Sequence, residues 1–336
     1  MKKKILAIVM VAAMAASMAA CGSKTSEQPK QDASAATEQG STSGAKYKIG
    51  VCQLVEHAAL DAATQGFCDT LKEKLGDDVE IDVKNAQGES TNCATICTTF
   101  VSDGVDLILG NATGALQAAS AATADIPILG TSITDYSSAL GLKEFNGTTG
   151  MNVSGTSDLA PIDQQEDMIL ELVPDVKSVG ILYCSAEPNS LYQVDQMIKY
   201  LKEDNIAYKT YAATDGNDIQ SVVTTACAEN DCLYVPTDNT MANGVDIMKN
   251  VMIPAKIPMI AGEAGICKAG IATLSISYYD LGCQTAEMAY DILVNGADVK
   301  TMEVQTAPKV TKMYNKENCE ALGIEIPEGY EELPTE

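Results

Sequence analysis

Short apolar segments alternate with longer amphipathic segments along most of the chain. In 60–75 the residues Leu60, Phe67 and Leu71 recur at helical spacing, whereas apolar and charged residues alternate strictly in 79–83. Strands are predicted at 48–54, 79–83, 105–110, 127–130, 179–183, 207–213, 232–235, 259–261 and 302–305, and helices at 60–75, 92–101, 115–124, 163–172, 190–204, 219–228, 242–251 and 281–294. This alternation predicts an α/β fold, with parallel strands covered by helices on both faces.

One segment interrupts the alternation near the middle of the chain. Residues 146–155 contain three glycines, two threonines and two asparagines, and no helical or strand pattern is evident there. The strand–helix alternation starts again at 163. The sequence therefore predicts two similar half-chains, with 146–155 as a crossing segment and candidate hinge.

The N-terminus has the pattern of an export signal. Three lysines at 2–4 precede an apolar run at 5–20, which is shorter than the about 20 residues that a spanning helix needs. The run ends in small residues before Cys21, an arrangement that resembles a bacterial lipobox; a plain secretory signal with a chance cysteine is the alternative. We predict a signal peptide at 1–20, a lipid on Cys21 and a solvated tether at 21–45. The mature protein is then expected outside the cytoplasm, held at the cell membrane by that lipid.

The charge of the chain excludes several kinds of partner. All 22 basic residues are lysine, against 46 acidic residues, and the net charge is −24. Such a surface repels phosphate backbones, so nucleic-acid binding is not expected. Because arginine is absent, the protein also cannot form the bidentate contacts that favour phosphate esters and dicarboxylates.

Ten cysteines follow Cys21, and we expect them to be free thiols. An exported chain with this many cysteines invites a disulfide interpretation. However, two domains of this size do not need covalent cross-links, and most of these cysteines stand inside apolar patterns, where cysteine behaves as a small hydrophobic residue.

Polar residues follow nearly every predicted strand in both halves. Ligands of open α/β sheets bind beyond the carboxyl ends of the strands, so these residues are the candidate ligand contacts. For Asn189 and Asp238, capping of the next helix explains the residue type equally well. The candidates are Gln53, His57, Thr113, Ser132, Asp135, Tyr136, Asn189, Ser190, Asp238, Asn239, Glu263 and Tyr278.

Motifs of catalysis and of cofactor binding are missing from the sequence. His57 is the only histidine, and neither a Gly-x-Ser-x-Gly nucleophile motif nor a His-Glu-x-x-His metal motif is found. A Walker A loop and a Gly-x-Gly-x-x-Gly turn are also absent. We therefore expect no enzymatic activity, no metal and no cofactor, and expect His57 to contact the ligand or to order the loop that does.

Six short motifs lie at the strand ends and in the loops between them. They are VEHAALDA at 55–62, NAQG at 85–88, NVSGTSD at 152–158, EPNS at 187–190, PTDNT at 236–240 and YYDLG at 278–282. With these motifs the chain, from about 47 to 327, resembles the substrate-binding lipoproteins of ABC importers that bind tryptophan and related aromatic amino acids. The chain departs from that family at Ala59, Gly114 and Tyr136, where the family usually has proline.

The resemblance implies a type I periplasmic-binding-protein fold, in which two Rossmann-like lobes with parallel sheets are joined by a hinge. Lobe 1 is expected at 46–155 plus about 280–300, and lobe 2 at 156–279 plus about 301–330. The function implied is capture of a small solute, an aromatic or other apolar amino acid, in the cleft between the lobes and its delivery to an ABC permease.

An amino-acid ligand assigns roles to the candidate residues. Hydroxyls, amides and backbone N–H groups have to hold its carboxylate because arginine is absent, and the candidates are Thr113, Ser132, Asn189 and Ser190. Its ammonium group needs a carboxylate, for which Asp238 and Glu263 are expected, with Asp135 as the alternative. Tyr136 and Tyr278 are expected to line the side-chain pocket.

Two other functions are compatible with the same fold. The protein could be a sensor that passes its closed state to a signalling partner, or it could bind a sugar or a nucleoside. Sugar sites usually stack aromatic rings on the ligand, and this chain has no tryptophan and three phenylalanines, although its 13 tyrosines could serve.

Overall fold

The computed structural model describes residues 44–334. The predicted signal peptide, the predicted lipidation site Cys21 and nearly all of the predicted tether lie outside the described residues. The strands, in chain order, are β1 (Tyr47–Gln53), β2 (Val79–Asn85), β3 (Leu107–Asn111), β4 (Ile128–Ile133), β5 (Val153–Ser157), β6 (Ser178–Cys184), β7 (Ala207–Ala213), β8 (Cys232–Val235), β9 (Met259–Ala261), β10 (Ala272–Ser275), β11 (Gln305–Thr306), β12 (Thr311–Tyr314) and β13 (Glu331–Glu332).

Helices connect most of these strands. They are α1 (Ala58–Leu75), α2 (Ser90–Asp103), α3 (Thr113–Ala122), α4 (Tyr136–Leu140), α5 (Ile162–Leu172), α6 (Pro188–Glu203), α7 (Ile219–Glu229), α8 (Asn239–Asn243), α9 (Val245–Ala255), α10 (Tyr278–Leu293) and α11 (Lys316–Leu322). Short 3₁₀ turns lie at Gly76–Asp78, Gly216–Asp218, Ile266–Lys268 and Val299–Thr301. Across residues 44–334, every helix falls short of the length or the apolar character that a bilayer span requires.

The strands form two sheets. The first has the order β11-β5-β4-β3-β1-β2 with parallel pairs throughout, and the second has the order β13-β12-β10-β9-β8-β6-β7, where only the β10–β12 pair is antiparallel. The predicted α/β fold with two mostly parallel sheets is confirmed. The chain passes from one sheet to the other after β5, after β10 and again after β11.

Two predicted boundaries differ from the structure. Residues 153–157 form the buried strand β5, so the prediction of a crossing segment over 146–155 is wrong at its C-terminal end. The glycine in this strand is required by close packing, because a Cβ on Gly155, whose φ is +141°, would lie 2.0 Å from the Gly130 carbonyl oxygen. In addition, β11 pairs with β5 in the first sheet, whereas the chain from about 301 was expected in lobe 2.

Apolar side chains cover both faces of each sheet. Cys52, Phe100 and Leu116 are buried on one face of the first sheet, and Phe67 and Leu71 on the other. The second sheet likewise has a buried cluster on each face. The ten cysteines of the described range are all unpaired, and all but Cys283 are buried. They therefore contribute to the structure as small apolar side chains.

Helices α1 and α10 cross with their backbones in contact. A Cβ on Gly66 would lie 2.1 Å from the Tyr279 carbonyl oxygen, and a Cβ on Gly282 would lie 2.0 Å from the Ala63 carbonyl oxygen. Glycine is therefore required on both helices at this crossing. The contact fixes the N-terminus of α10, and with it Tyr278, against the helix that follows β1.

Candidate functional site

The carboxyl ends of the strands in the two sheets face a common cavity, which we call the inner cavity. Its wall combines loops of the first sheet, the segments that cross between the sheets and loops of the second sheet. The lining residues are His57, Ala59, Leu60, Ser132, Thr134, Asp158, Asn189, Thr237, Asp238, Asn239, Ala242, Glu263 and Tyr278. The position agrees with the general rule that open α/β sheets bind ligands at this edge.

Asp158 is a buried carboxylate of the inner cavity, and it directly follows β5. It accepts hydrogen bonds from the Thr134 hydroxyl at 3.1 Å and from the Tyr278 hydroxyl at 2.9 Å. Burial raises the pKa of Asp158 to about 6, with a contribution from the charge of Glu263. Asp158 is therefore close enough to a second carboxylate to feel its charge.

Asp238 is the most enclosed of the cavity carboxylates. It caps α8 through the Met241 N–H at 2.9 Å, and its other oxygen accepts from the Cys184 N–H at 2.6 Å and the Ser190 hydroxyl at 2.8 Å. Burial, with the charge of Glu187, raises the pKa of Asp238 to about 8. Most of the hydrogen-bonding capacity of this carboxylate thus serves the fold of the second sheet.

Glu263 follows β9 and turns back onto its own loop. Its two oxygens accept from the N–H groups of Gly265 at 2.6 Å and Ile266 at 2.7 Å, and the side chain is buried. The inner cavity therefore has three buried carboxylates in its wall. Lysine and arginine are absent from that wall as far as residues 44–334 form it, so the arrangement favours a cationic group in the cavity.

Ser132 supplies a hydroxyl without a partner. It stands in β4 where the register with β5 is irregular, and it has a φ of +56°, a conformation that L-residues rarely adopt. Its Oγ is buried and makes no hydrogen bond to another described residue. Because strained residues and bulges gather where a side chain has to be aimed, Ser132 is a candidate ligand contact.

A hydrogen bond joins the two sides of the cleft at the edge of the inner cavity. His57 Nε2 lies 3.2 Å from Oδ1 of Asn239; His57 follows β1 in the first sheet, and Asn239 opens α8 beside the second. The Asn239 side-chain amide donates to Glu187 at 2.7 Å, and the Asn239 backbone N–H donates to the same oxygen at 3.0 Å. The other Glu187 oxygen accepts from the backbone and hydroxyl of Thr240.

A larger space, the outer chamber, lies between the sheets beyond the inner cavity. It has a volume of about 720 Å³, and both sheets contribute to its wall, including 87–91 from the first and 214–217 from the second. Asn189 and Asn239 line both spaces and so mark the boundary between them. The inner cavity itself is tight, with about 10 Å³ of room, which suffices for about one water molecule.

The structure brings together seven of the twelve predicted site residues in the wall of the inner cavity. The seven are His57, Ser132, Asn189, Asp238, Asn239, Glu263 and Tyr278. The other five lie outside that wall. The seven come from both halves of the chain, because the carboxyl ends of both sheets face the same space.

The remaining five predicted residues serve the surrounding structure. Gln53 bonds to Asp61 and to Thr64, Tyr136 is a core residue whose hydroxyl donates to the Gly130 and Thr156 carbonyls, and Ser190 donates to Asp238. Asp135 caps α4 through the Ser138 N–H at 2.7 Å. Thr113 is buried in the first turn of α3.

Sequence reasoning missed three polar residues of the wall and one behind it. Thr134 follows β4, Thr237 follows β8, and Asp158 follows β5, a strand that the sequence did not predict. Glu187 lies behind Asn239 at the start of α6. Thr237, Asp158 and Glu187 each belong to a motif noted above. The signal that could have identified all four residues is that each one follows a strand.

The groups around the cavity carboxylates bear on the kind of cation that the inner cavity can take. Within residues 44–334 no group of three or more histidine, cysteine, aspartate or glutamate side chains is arranged to hold a metal ion. The carboxylates of the inner cavity are instead surrounded by hydroxyl and N–H donors. Such an environment suits an organic cation, which brings its own hydrogen-bond donors.

The chain is similar to several known binding proteins. It is 35% identical to the tyrosine-binding protein of Clostridioides difficile over 96% of this chain and 93% of that protein. A solved ABC domain in complex with L-Trp from Streptococcus pneumonia is 35% identical, with a TM-score of 0.80, and the match covers 84% of this chain and 97% of that one.

A second solved relative is similar over much the same part of the chain. The ligand-free, open structure of a substrate-binding protein with adhesive properties from Clostridium difficile is 36% identical, covers 86% of this chain and 100% of its own, and has a TM-score of 0.67. The TM-score is thus lower against this open structure than against the L-Trp complex, although the identities are nearly equal.

The family comparison covers nearly all of the described residues. Residues 48–336 match the family described as ABC transporter substrate binding protein. This match agrees with two sheets facing a common cavity and with the similarity to binding proteins along nearly the full chain. Members of this family are extracytoplasmic binding proteins, not enzymes, and they serve an ABC transporter. The chain belongs to the family of ABC transporter substrate binding proteins.

Proposed function

We propose that the protein captures an aromatic amino acid, L-tyrosine or L-tryptophan, outside the cytoplasm and delivers it to an ABC permease for import. The observation that carries this proposal is the wall of the inner cavity, where residues 44–334 contribute three buried carboxylates and one free hydroxyl but no lysine. The relatives named for tyrosine and for L-Trp support the ligand class.

The ammonium group of the ligand is assigned to Asp158 and Glu263. A carboxylate has about four acceptor positions. Asp238 already accepts three hydrogen bonds from its own fold, whereas Asp158 and Glu263 each accept two. A cation between Asp158 and Glu263 would also relieve their mutual repulsion, which contributes to the raised pKa of Asp158.

The carboxylate of the ligand is assigned to the side of Ser132. This hydroxyl is a free donor in the first sheet, and it faces the cavity opposite the loops that carry Asp238 and Glu263. A zwitterion held in this way has its positive end towards the acidic loops and its negative end towards the hydroxyl. That polarity avoids contact between the ligand carboxylate and the buried carboxylates.

The aromatic ring is assigned to the apolar part of the wall. Ala59, Leu60 and Ala242 supply small and aliphatic surfaces, and the Tyr278 ring adds an aromatic one. Burying about 150–250 Å² of aromatic surface at about 25 cal/mol per Å² contributes about 4–6 kcal/mol. Micromolar affinity requires about 8 kcal/mol, so the polar contacts have to supply the difference.

Entry of the ligand requires the lobes to separate. The inner cavity has about 10 Å³ of room in the present arrangement, far less than an amino acid occupies, and the outer chamber is the space through which a solute reaches it. The segments that cross between the sheets then act as the hinge, and closure around the ligand creates the form presented to the permease.

Calorimetric titration with matched ligands tests the assignment. We expect L-tyrosine or L-tryptophan to bind with micromolar affinity. Tyramine lacks the carboxylate and 3-(4-hydroxyphenyl)propionate lacks the ammonium; we expect both to bind more weakly, the second at least a hundredfold, because it places a carboxylate among three others. If neither amino acid binds while a sugar or nucleoside does, the proposal is wrong.

We further propose that the protein is a lipoprotein anchored through Cys21 after removal of a signal peptide at 1–20. The support is the sequence alone: three lysines, an apolar run of 16 residues and small residues before the cysteine. Cys21→Ser should release the protein from the membrane fraction into the medium or periplasm. Unchanged retention on membranes would contradict the lipid anchor.

A further inference from the structure

We propose that His57 and Asn239 form a latch that holds the cleft closed, and that Glu187 positions Asn239 for it. This inference rests on the proposed function, since a latch matters only if a solute is held in the cleft. It assigns to His57 a role in retention of the ligand, and it adds Glu187, which lines the outer chamber, as a residue that controls release.

The orientation of the Asn239 side chain determines the direction of the latch hydrogen bond. Its Nδ2 atom donates to the Glu187 carboxylate at 2.7 Å, so its Oδ1 atom is the one that points to His57. An amide oxygen can only accept, and His57 must therefore donate from Nε2. The negative charge of Glu187 polarises the amide and strengthens Oδ1 as an acceptor.

Both ends of the latch are held rigidly by their own lobes. His57 directly precedes α1, and its carbonyl accepts the first hydrogen bond of that helix from Asp61 at 3.0 Å. Asn239 is the first residue of α8, and Glu187 holds its backbone N–H as well as its side chain. Neither residue can follow the other when the lobes separate, so opening has to break the hydrogen bond.

The latch also lies on the path of the ligand. Asn239 lines both the inner cavity and the outer chamber, and His57 lines the inner cavity. A solute that leaves the inner cavity for the outer chamber passes this boundary. Breaking one partly buried hydrogen bond should accelerate opening roughly fivefold, while entry into the open cleft, where the bond is already absent, should not change.

The test compares variants that keep or remove the donor. His57→Gln retains an N–H donor, and His57→Phe retains a ring but has none. Glu187→Gln leaves the Asn239 amide without its charged partner. As a control for loss of a cap, Asp298→Ala removes the side chain that accepts from the Lys300 N–H at the 3₁₀ turn Val299–Thr301, which is outside both walls of the cleft.

Stopped-flow fluorescence with L-tyrosine and L-tryptophan gives the two rates for each protein. We expect dissociation to be roughly fivefold faster in His57→Phe and in Glu187→Gln, near the parent value in His57→Gln, and unchanged in Asp298→Ala, with association rates within twofold throughout. The double variant His57→Phe with Glu187→Gln should dissociate no faster than either single variant. Unchanged dissociation in His57→Phe would overturn the latch.

Failure of the proposed function is distinguishable from failure of the latch. If the unaltered protein binds neither amino acid, the ligand assignment fails, and X-ray scattering of the free chain becomes the test of the latch. The latch then predicts a larger radius of gyration for His57→Phe than for the unaltered protein and for His57→Gln. Equal radii in all three proteins would overturn it.

Discussion

Replacement of Asp158 by asparagine is expected to weaken the binding of L-tyrosine and to remove its pH dependence below neutrality. Asparagine keeps the shape of the side chain and an acceptor for the Tyr278 hydroxyl, which donates to Asp158 at 2.9 Å. What the variant loses is the negative charge that faces the ligand ammonium. Removing one partner of a desolvated charge pair costs about 3 kcal/mol, or roughly a hundredfold in Kd.

The pH dependence follows from the raised pKa of this carboxyl. Burial raises the pKa of Asp158 to about 6, so about ten elevenths of it is ionised at pH 7 and about one eleventh at pH 5. The ligand ammonium binds the ionised form and competes with the proton. Affinity is therefore retained above pH 6 and lost below it, by roughly tenfold between pH 7 and pH 5.

Isothermal titration calorimetry between pH 5 and pH 8.5 decides the matter, with buffers of different ionisation enthalpy to count the protons released. If Asp238, whose pKa burial raises to about 8, were the main partner, affinity would continue to rise between pH 7 and pH 8.5. A Kd that is constant from pH 5 to pH 7, or an unaltered pH profile in Asp158→Asn, would refute the reasoning. The control for folding is the melting temperature at pH 7, which should be no lower in Asp158→Asn than in the parent because the variant removes a charge that burial disfavours.

Three further predictions concern the free hydroxyl, a second buried carboxyl and the helix crossing. Ser132→Ala should weaken L-tyrosine binding about tenfold in calorimetry without lowering the melting temperature, because its hydroxyl has no other partner in the described range. Glu166→Gln should raise the melting temperature by about 2–4 °C at pH 8 but not at pH 5. Burial raises the pKa of Glu166 to about 7, so the protonated carboxyl stabilises the fold at low pH, and this stabilisation is lost as the pH rises through that value. Gly282→Ala should lower the melting temperature by about 10 °C or more, because its Cβ would lie 2.0 Å from the Ala63 carbonyl oxygen, whereas Gly216→Ala, which has open space around it, should have almost no effect.

The strand–helix alternation predicted most of the fold because each element has one apolar face. The helix predicted at 60–75 is observed at Ala58–Leu75, and the strand predicted at 179–183 is observed at Ser178–Cys184. The short β13 was not predicted, since two exposed glutamates carry no apolar pattern. β5 was missed for a different reason: its close packing on β4 selects glycine, serine and threonine, residues that are otherwise typical of loops.

The candidate site was predictable only in part because polar residues at strand ends have two uses. Asp135 and Asp238 both follow a strand and both cap the next helix, yet only Asp238 faces the inner cavity. The distinction depends on which way the loop turns, and that is decided by packing between distant parts of the chain. Asp158 was missed because the strand before it was missed, although it offers more free acceptor positions than Asp238.

The distribution of polar groups around the inner cavity links recognition to closure. The acidic loops of Asp238 and Glu263 belong to the second sheet, Ser132 belongs to the first, and Asp158 stands where the chain crosses between them. In an open cleft the protein can contact either the ammonium or the carboxylate of a zwitterion. It contacts both charged groups only when the two sides of the cleft meet. The ligand therefore binds the closed form more tightly and shifts the population towards it. In the proposed site, Asp158 and Glu263 repel each other until the ligand ammonium lies between them, so the contact that selects the ligand also stabilises the closed form. The proposed latch between His57 and Asn239 adds a contribution that does not depend on which amino acid is bound.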